Sequence, residues 1–223
     1  MRVKVLRQSS PGSEPYWQEF SYERKDDQTI AGMLEELNYL DDLKDIKGSS
    51  APRIKWECSC LQGMCGGCAM VINNVPALAC ETFLRDIKND TVVLEPLRKF
   101  PTIADLMVDR SVIDEYLKKE DAFIEEYKGA DPKEFDHMYA AGKCLKCGLC
   151  LEVCPNYSGG RSFYGAAFAN DCYLIASRSM TRDKLLKESY REHFAKGCSK
   201  SLSCAQVCPM KIPTLASISK MNS

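Results

Sequence analysis

A chain of 223 residues suffices for one large or two modest domains, and a formal net charge of −1 gives no electrostatic case for nucleic acid as a partner. Thirteen cysteines dominate the composition. The opening MRVKVLRQSSPGSEPYW has no long apolar stretch, so neither a secretory signal nor a secreted disulfide scaffold is expected. The cysteines instead cluster at spacings of two and three residues, which suit metals and make disulfides within a cluster awkward. A reducing compartment with metal-bound thiolates follows. Apolar runs such as Cys172–Ala176 are far too short to cross a bilayer, so any membrane association is expected through a partner.

In chain order, Val3 and Val5 fall on one face of a predicted strand. In a second, Gln18, Phe20 and Tyr22 alternate with Trp17, Glu19 and Ser21. From Thr29 onward Ile30, Met33, Leu34, Leu37 and Leu40 recur at helical spacing. Ala69–Ile72, closed by an Asn73-Asn74 turn, and Val92-Val93-Leu94 read as further strands. Strands, one helix and a cysteine-rich loop predict a small sheet folded across that helix, an α+β half spanning residues 1–100. Residues 101–223 turn helical. Val112, Ile113, Tyr116, Leu117, Phe123, Ile124 and Tyr127 predict one long amphipathic helix. Asp131, Pro132 and Glu134 form a capping box for the next, which should turn Phe135, Met138 and Tyr139 inward. Further helices are predicted from about Phe163 to Arg178, from a Thr181 cap through Phe194, and after Pro213.

The chemistry lies in the cysteines. Cys60, Cys65 and Cys68, followed by Cys80, give C-x4-C-x2-C…C, the plant-type [2Fe-2S] spacing. Gly63, Gly66 and Gly67 let the backbone approach a small, net-negative cluster and aim N–H groups at its sulfurs. A structural zinc site would favour paired C-x2-C knuckles. Cys144, Cys147, Cys150 and Cys154 form C-x2-C-x2-C-x3-C-P, the bacterial ferredoxin run, whose fourth cysteine serves the other cluster in two-cluster proteins. A second run at residues 198–208 makes that exchange feasible. Cys144, Cys147, Cys150 and Cys208 would then hold a [4Fe-4S] cluster. Cys198, Cys204 and Cys154 would hold the other, with Ser201 where its fourth ligand would stand.

Three thiolates leave one iron of a cuboidal cluster unsupported, so the favoured content of that site is [3Fe-4S]. Two alternatives stay open: Ser201 ligates a fourth iron through its hydroxyl, or a [4Fe-4S] cluster carries a non-protein ligand there. Cys58 and Cys172 are expected to be buried thiols acting as small hydrophobes, and His137 and His193 to serve packing.

The order of these motifs resembles the iron-sulfur subunit of the succinate dehydrogenase/fumarate reductase family over nearly the whole chain. The stretches that carry the resemblance include CGGCAMVINNVPALAC, LEPL with FPTIADLMVD, CLEVCPNY, FYGAA and CPMKIPT, and the missing fourth ligand is itself a family trait. The resemblance implies a β-grasp plant-type ferredoxin domain followed by an α-helical bacterial-type one. It implies two partners: a flavoprotein subunit whose FAD interconverts succinate and fumarate, and a membrane-anchor subunit that exchanges electrons with quinone. The complex would sit on the cytoplasmic face of the cell membrane. Where many members carry Trp after the first run and His after the first cysteine of the last, this chain has Asn156-Tyr157 and Ser199. No quinone site is therefore carried onto it, and the pattern fits members with a single haem-bearing anchor. The rivals are the iron-sulfur subunit of another flavin-dependent organic-acid reductase and a freestanding multi-cluster ferredoxin.

Overall fold

The computed structural model describes residues 1–129 and 131–223. The chain divides into two compact units, Met1–Asp109 and Arg110–Ser223, a division that lies past residue 100.

In the first unit, β1 (Arg2–Arg7) buries Val3, Val5 and Arg7 in strict alternation. It pairs antiparallel with β2 (Tyr16–Ser21), whose Phe20 is fully buried while Trp17 stays exposed. Thr29 caps α1 (Ile30–Tyr39), its hydroxyl accepting the Gly32 N–H at 3.1 Å, and Ile30, Met33, Leu34 and Leu37 are buried. Each such side chain removed from water contributes about 1.5–3 kcal/mol. β3 (Ala69–Ile72) and β4 (Val75–Leu78) form a hairpin. Its Asn73 and Asn74 both take positive φ, the backbone a tight two-residue turn requires. β5 (Thr91–Glu95) lies parallel to β1 and antiparallel to β3, completing a five-stranded mixed sheet in the order β2-β1-β5-β3-β4. One helix with a mixed sheet is the arrangement expected of a β-grasp ferredoxin domain. The small hairpin of β6 (Thr102–Ala104) and β7 (Met107–Val108) belongs to this unit for a physical reason. Asp105 at its tip forms an ion pair with buried Arg7 at 3.0 Å, and its carboxylate accepts the N–H groups of Gln8 and Lys55.

The second unit is helical, and α2 (Val112–Lys119) departs from expectation. Instead of a long helix it ends after eight residues. Asp121 adopts φ +46°, the Ala122 N–H reaches the Leu117 carbonyl and the Asp121 N–H that of Lys118. That paired closure is a Schellman stop, with Asp in the left-handed place usually given to Gly. Phe123, Ile124 and Tyr127 therefore lie beyond the helix and are exposed. The capping box forms by half: Asp131 accepts the Lys133 N–H, but the Glu134 carboxylate turns to Lys220 and Tyr173. A 3-10 turn (Pro132–Glu134) leads into α3 (Phe135–Ala141), which buries Met138 but leaves Phe135 and Tyr139 stacked on each other at the surface. α4 (Leu149–Glu152) is one turn long. α5 (Gly165–Ala176) forms the centre of the unit, packed by α2, α3, α4, α6 and α8, with nearly every residue buried. α6 (Asp183–His193) has Arg182 and not Thr181 at its N-cap, with no side-chain capping bond; the Ser179 hydroxyl instead holds the preceding turn by accepting the N–H groups of Thr181 and Arg182. α7 (Ser203–Val207) and α8 (Thr214–Asn222) end the chain.

Candidate metal centres

In the first unit the loop before β3 carries Cys60, Cys65 and Cys68, and a 3-10 turn after β4 delivers Cys80. Cys68 and Cys80 are buried with their sulfurs 3.3 Å apart, while Cys60 is half-buried and Cys65 exposed. The backbone between them coils tightly: Leu61, Gly63 and Gly66 all have positive φ. A Cβ on Gly63 would meet the Glu81 carboxylate at 2.3 Å. The coiling aims N–H groups at sulfur, from Gly63 to Cys80 at 3.2 Å, Met64 to Cys60 at 3.2 Å and Gly67 to Cys65 at 3.4 Å. Donors from Gln62 and Met64 pull the Cys60 thiol down to about 7, whereas burial pushes Cys68 up to about 12. A cationic core is what would let a thiol buried like Cys68 ionise.

The two ferredoxin runs of the second unit share one backbone design. Lys146 and Lys200 both have positive φ, +54° and +58°, and so do Gly148 and Leu202, +85° and +62°, immediately before α4 and α7. Three left-handed non-glycine residues, Lys146, Lys200 and Leu202, would be strain without purpose in plain loops. Here they turn backbone donors inward: the Lys146 N–H faces the Cys144 sulfur and the Leu149 N–H that of Cys147. α4 packs on α7, and the runs interlock. One cavity, about 30 Å³, is lined by Cys144, Cys147, Cys150 and Cys208. A second, about 350 Å³, is lined by Cys154, Cys198 and Cys204 together with Ser201. The cysteines thus sort into a group of four and a group of three, each taking one member from the other run.

Burial pushes the Cys147 thiol up to about 11 and raises Cys144, Cys150 and Cys204, with the neighbouring thiols adding to the effect. Among the described residues no three His, Cys, Asp or Glu side chains converge closely enough to share a single ion. In the second unit the sulfurs line cavities, the room a polynuclear cluster needs.

The remaining candidates separate cleanly. Cys172 is fully buried in α5, but Cys58 is exposed, because the loop that presents the cysteines leaves it on the outside. His137 stacks on Tyr173 and meets the Ser217 hydroxyl at 3.2 Å, and His193 stacks on Tyr164 and lies 3.2 Å from Glu120. Both serve packing. Asn156 and Ser199 touch each other at 2.6 Å on the wall of the larger cavity, whereas Tyr157 points into the core, its hydroxyl 3.0 Å from that of Tyr116. Sequence reading missed the apolar wall of that cavity, formed by Phe163, Tyr190, Leu215 and Ile218. It also missed Asp171, which reaches Lys146 from α5 with no local motif to announce it.

A plant-type loop on a mixed sheet, followed by interlocked ferredoxin runs on a helical unit, defines a multi-cluster electron-transfer protein. The sequence matches family models for a 2Fe-2S iron-sulfur cluster binding domain over residues 2–115 and a 4Fe-4S dicluster domain over residues 140–212. It is 32% identical to the succinate dehydrogenase iron-sulfur subunit of Bacillus subtilis over 100% of this chain and 91% of that one. It is also 32% identical to a fumarate reductase iron-sulfur subunit of Escherichia coli, over 80% and 77%. In fold it resembles a chain of the Mycobacterium smegmatis Sdh1 complex, with a TM-score of 0.76 at 21% identity over 99% of this chain and 93% of that one. The chain belongs to the iron-sulfur subunits of the succinate dehydrogenase/fumarate reductase family.

Proposed function

We propose that this chain relays single electrons between a flavoprotein subunit carrying FAD and a quinone-reactive membrane anchor, as the iron-sulfur subunit of a succinate:quinone oxidoreductase. The observation that carries the reading is the sorting of seven C-terminal cysteines around two cavities, into a group of four and a group of three that exchange Cys154 and Cys208. Cys60, Cys65, Cys68 and Cys80 would hold [2Fe-2S], Cys144, Cys147, Cys150 and Cys208 [4Fe-4S], and Cys154, Cys198 and Cys204 [3Fe-4S]. When bound, such clusters accept and release one electron at a time.

The protein's own part is binding and tuning. Left-handed residues aim N–H donors at the sulfurs, and the apolar walls keep water away and set the local dielectric. No residue here makes or breaks substrate bonds; succinate and fumarate belong to the flavoprotein. Among the described residues no helix is long and apolar enough to cross a membrane. Attachment would run through the anchor, on the cytoplasmic face.

The test is EPR on the anaerobically purified protein after mild oxidation. An oxidised three-iron cluster is paramagnetic, so a signal of about one spin per chain is expected, with the other two clusters appearing only on reduction. Silence on oxidation would overturn the three-ligand site.

A further inference from the structure

The first ferredoxin run places a lysine inside its own ligand loop. Lys146 lies between Cys144 and Cys147, held at φ +54°, and its charge acts directly on the Cys144 sulfur. Opposite it, α5 presents Asp171, which is almost wholly buried, and the two form an ion pair. The second run repeats the lysine but not the partner: Lys200, at the matching place with φ +58°, is exposed to solvent.

Stability is a weak explanation for the pair. Drawing two charges out of water largely cancels what their attraction returns, and apolar residues of similar size commonly do as well. Helix α5 has polar anchoring of its own next door, where Asn170 donates to the Ala141 carbonyl at 3.0 Å and accepts from the Ser217 hydroxyl at 3.1 Å. A fixed charge beside a buried redox site has a larger consequence, because each added electron makes that site one unit more negative. An unopposed cation favours the electron and raises the potential; a buried carboxylate beside it cancels the effect, with little screening by water.

We propose that Lys146 and Asp171 form a potential-tuning pair for the site of Cys144, Cys147, Cys150 and Cys208, in which buried Asp171 neutralises the loop lysine and keeps that site the more reducing of the two. The inference rests on the ligand reading given under Proposed function. Lys200 stands exposed on the wall of the larger cavity, and among the described residues no buried carboxylate pairs with it as Asp171 does with Lys146, so the asymmetry runs in the direction a graded relay needs.

The experiment is a redox titration, followed by EPR, of the intact complex carrying Asp171→Asn, alongside the double variant Lys146→Met/Asp171→Asn. The single variant leaves a cation with no counter-charge, and the midpoint of the four-iron signal should rise so that the reduction equilibrium shifts about tenfold, which is about 59 mV for one electron. The double variant removes the cation as well and should return the midpoint to near the wild-type value. Loop distortion alone would not be reversed by deleting the lysine, so the return separates charge from structure. Should Asp171→Asn lose iron, Asp171→Ala provides a second neutral replacement. An unchanged or lowered midpoint in the single variant, a double variant that stays high, or loss of the cluster in both single variants would each overturn the proposal. A wild-type complex with no four-iron signal would instead overturn the ligand reading beneath it.

Discussion

Ser201 differs from Cys147 in one side-chain atom, and the backbone around both is nearly the same: a left-handed lysine before, a left-handed residue after, then a turn of helix. The second run therefore repeats the backbone around Cys147 and carries a hydroxyl where the first run has a sulfur. Ser201→Cys is expected to abolish the EPR signal of the oxidised protein by admitting a fourth iron. It should also lower the potential of that site by about 59 mV or more, a tenfold shift in a one-electron equilibrium, and slow quinone turnover. An unchanged oxidised signal would mean that residue 201 does not face the missing corner. At this scale the sequence was informative where chemistry is local. Ligands two and three residues apart must share a loop, so the cysteines could be grouped without any fold. Cys58 was misplaced because residue type alone does not tell which side of a loop faces outward. The link between Lys146 and Asp171 depends on how α5 lies against the loop, and no periodicity encodes that.

Among the elements, strands and helices that carry a clear period appear where expected, and the errors have local causes. An apolar stripe continues past Lys119, but the chain stops obeying it at Asp121, whose left-handed backbone closes the helix. The stripe residues beyond it run instead toward a bridge between Tyr127 and Ser179. In α3 the aromatic residues at the helical spacing face outward, and docking falls to a polar residue. His137 stacks on Tyr173 of α5 at 4.4 Å and reaches Ser217 of α8 at 3.2 Å. Burial holds this imidazole neutral and its pKa below 6.5, the Lys220 cation adding to the effect and the Glu134 carboxylate opposing it. The sign follows from linkage. Below about pH 6.5 the unfolded chain takes up a proton that the folded chain resists, so stability present above that pH is lost as pH falls toward the folded value. His137→Phe keeps the ring but cannot titrate. It should be less stable at neutral pH by about 1 kcal/mol for the lost hydrogen bond, yet lose less stability between about pH 7.5 and 5.5. Thermal melts across that range decide the matter; parallel pH profiles would remove His137 from the acid response.

Across the molecule the two units organise their metal in different ways. The first has a core of its own, a five-stranded sheet and α1, and all four of its cysteines lie within the same unit. The second has no sheet among its described residues, and its two cavities each draw one cysteine from the other run, Cys154 and Cys208. Cys154 follows α4, the same turn of helix that carries Cys150 of the other group, and α4 rests on α7. Losing one cluster should therefore release the loop that supplies a ligand to its neighbour. Cys208→Ala is expected to abolish both C-terminal signals together, leaving about two irons per chain and the reduced [2Fe-2S] spectrum intact. Cys80→Ala should do the reverse, silencing the [2Fe-2S] signal while both C-terminal clusters persist, since no C-terminal ligand depends on that loop. Iron analysis with EPR in the oxidised and reduced states reads both variants. If Cys208→Ala kept a full three-iron signal, the two sites would be independent and the interlock would carry no energetic weight. If it lost the [2Fe-2S] signal as well, the N-terminal sheet could not be said to hold its metal unaided. Selective loss of both C-terminal clusters alone is what the exchanged ligands require.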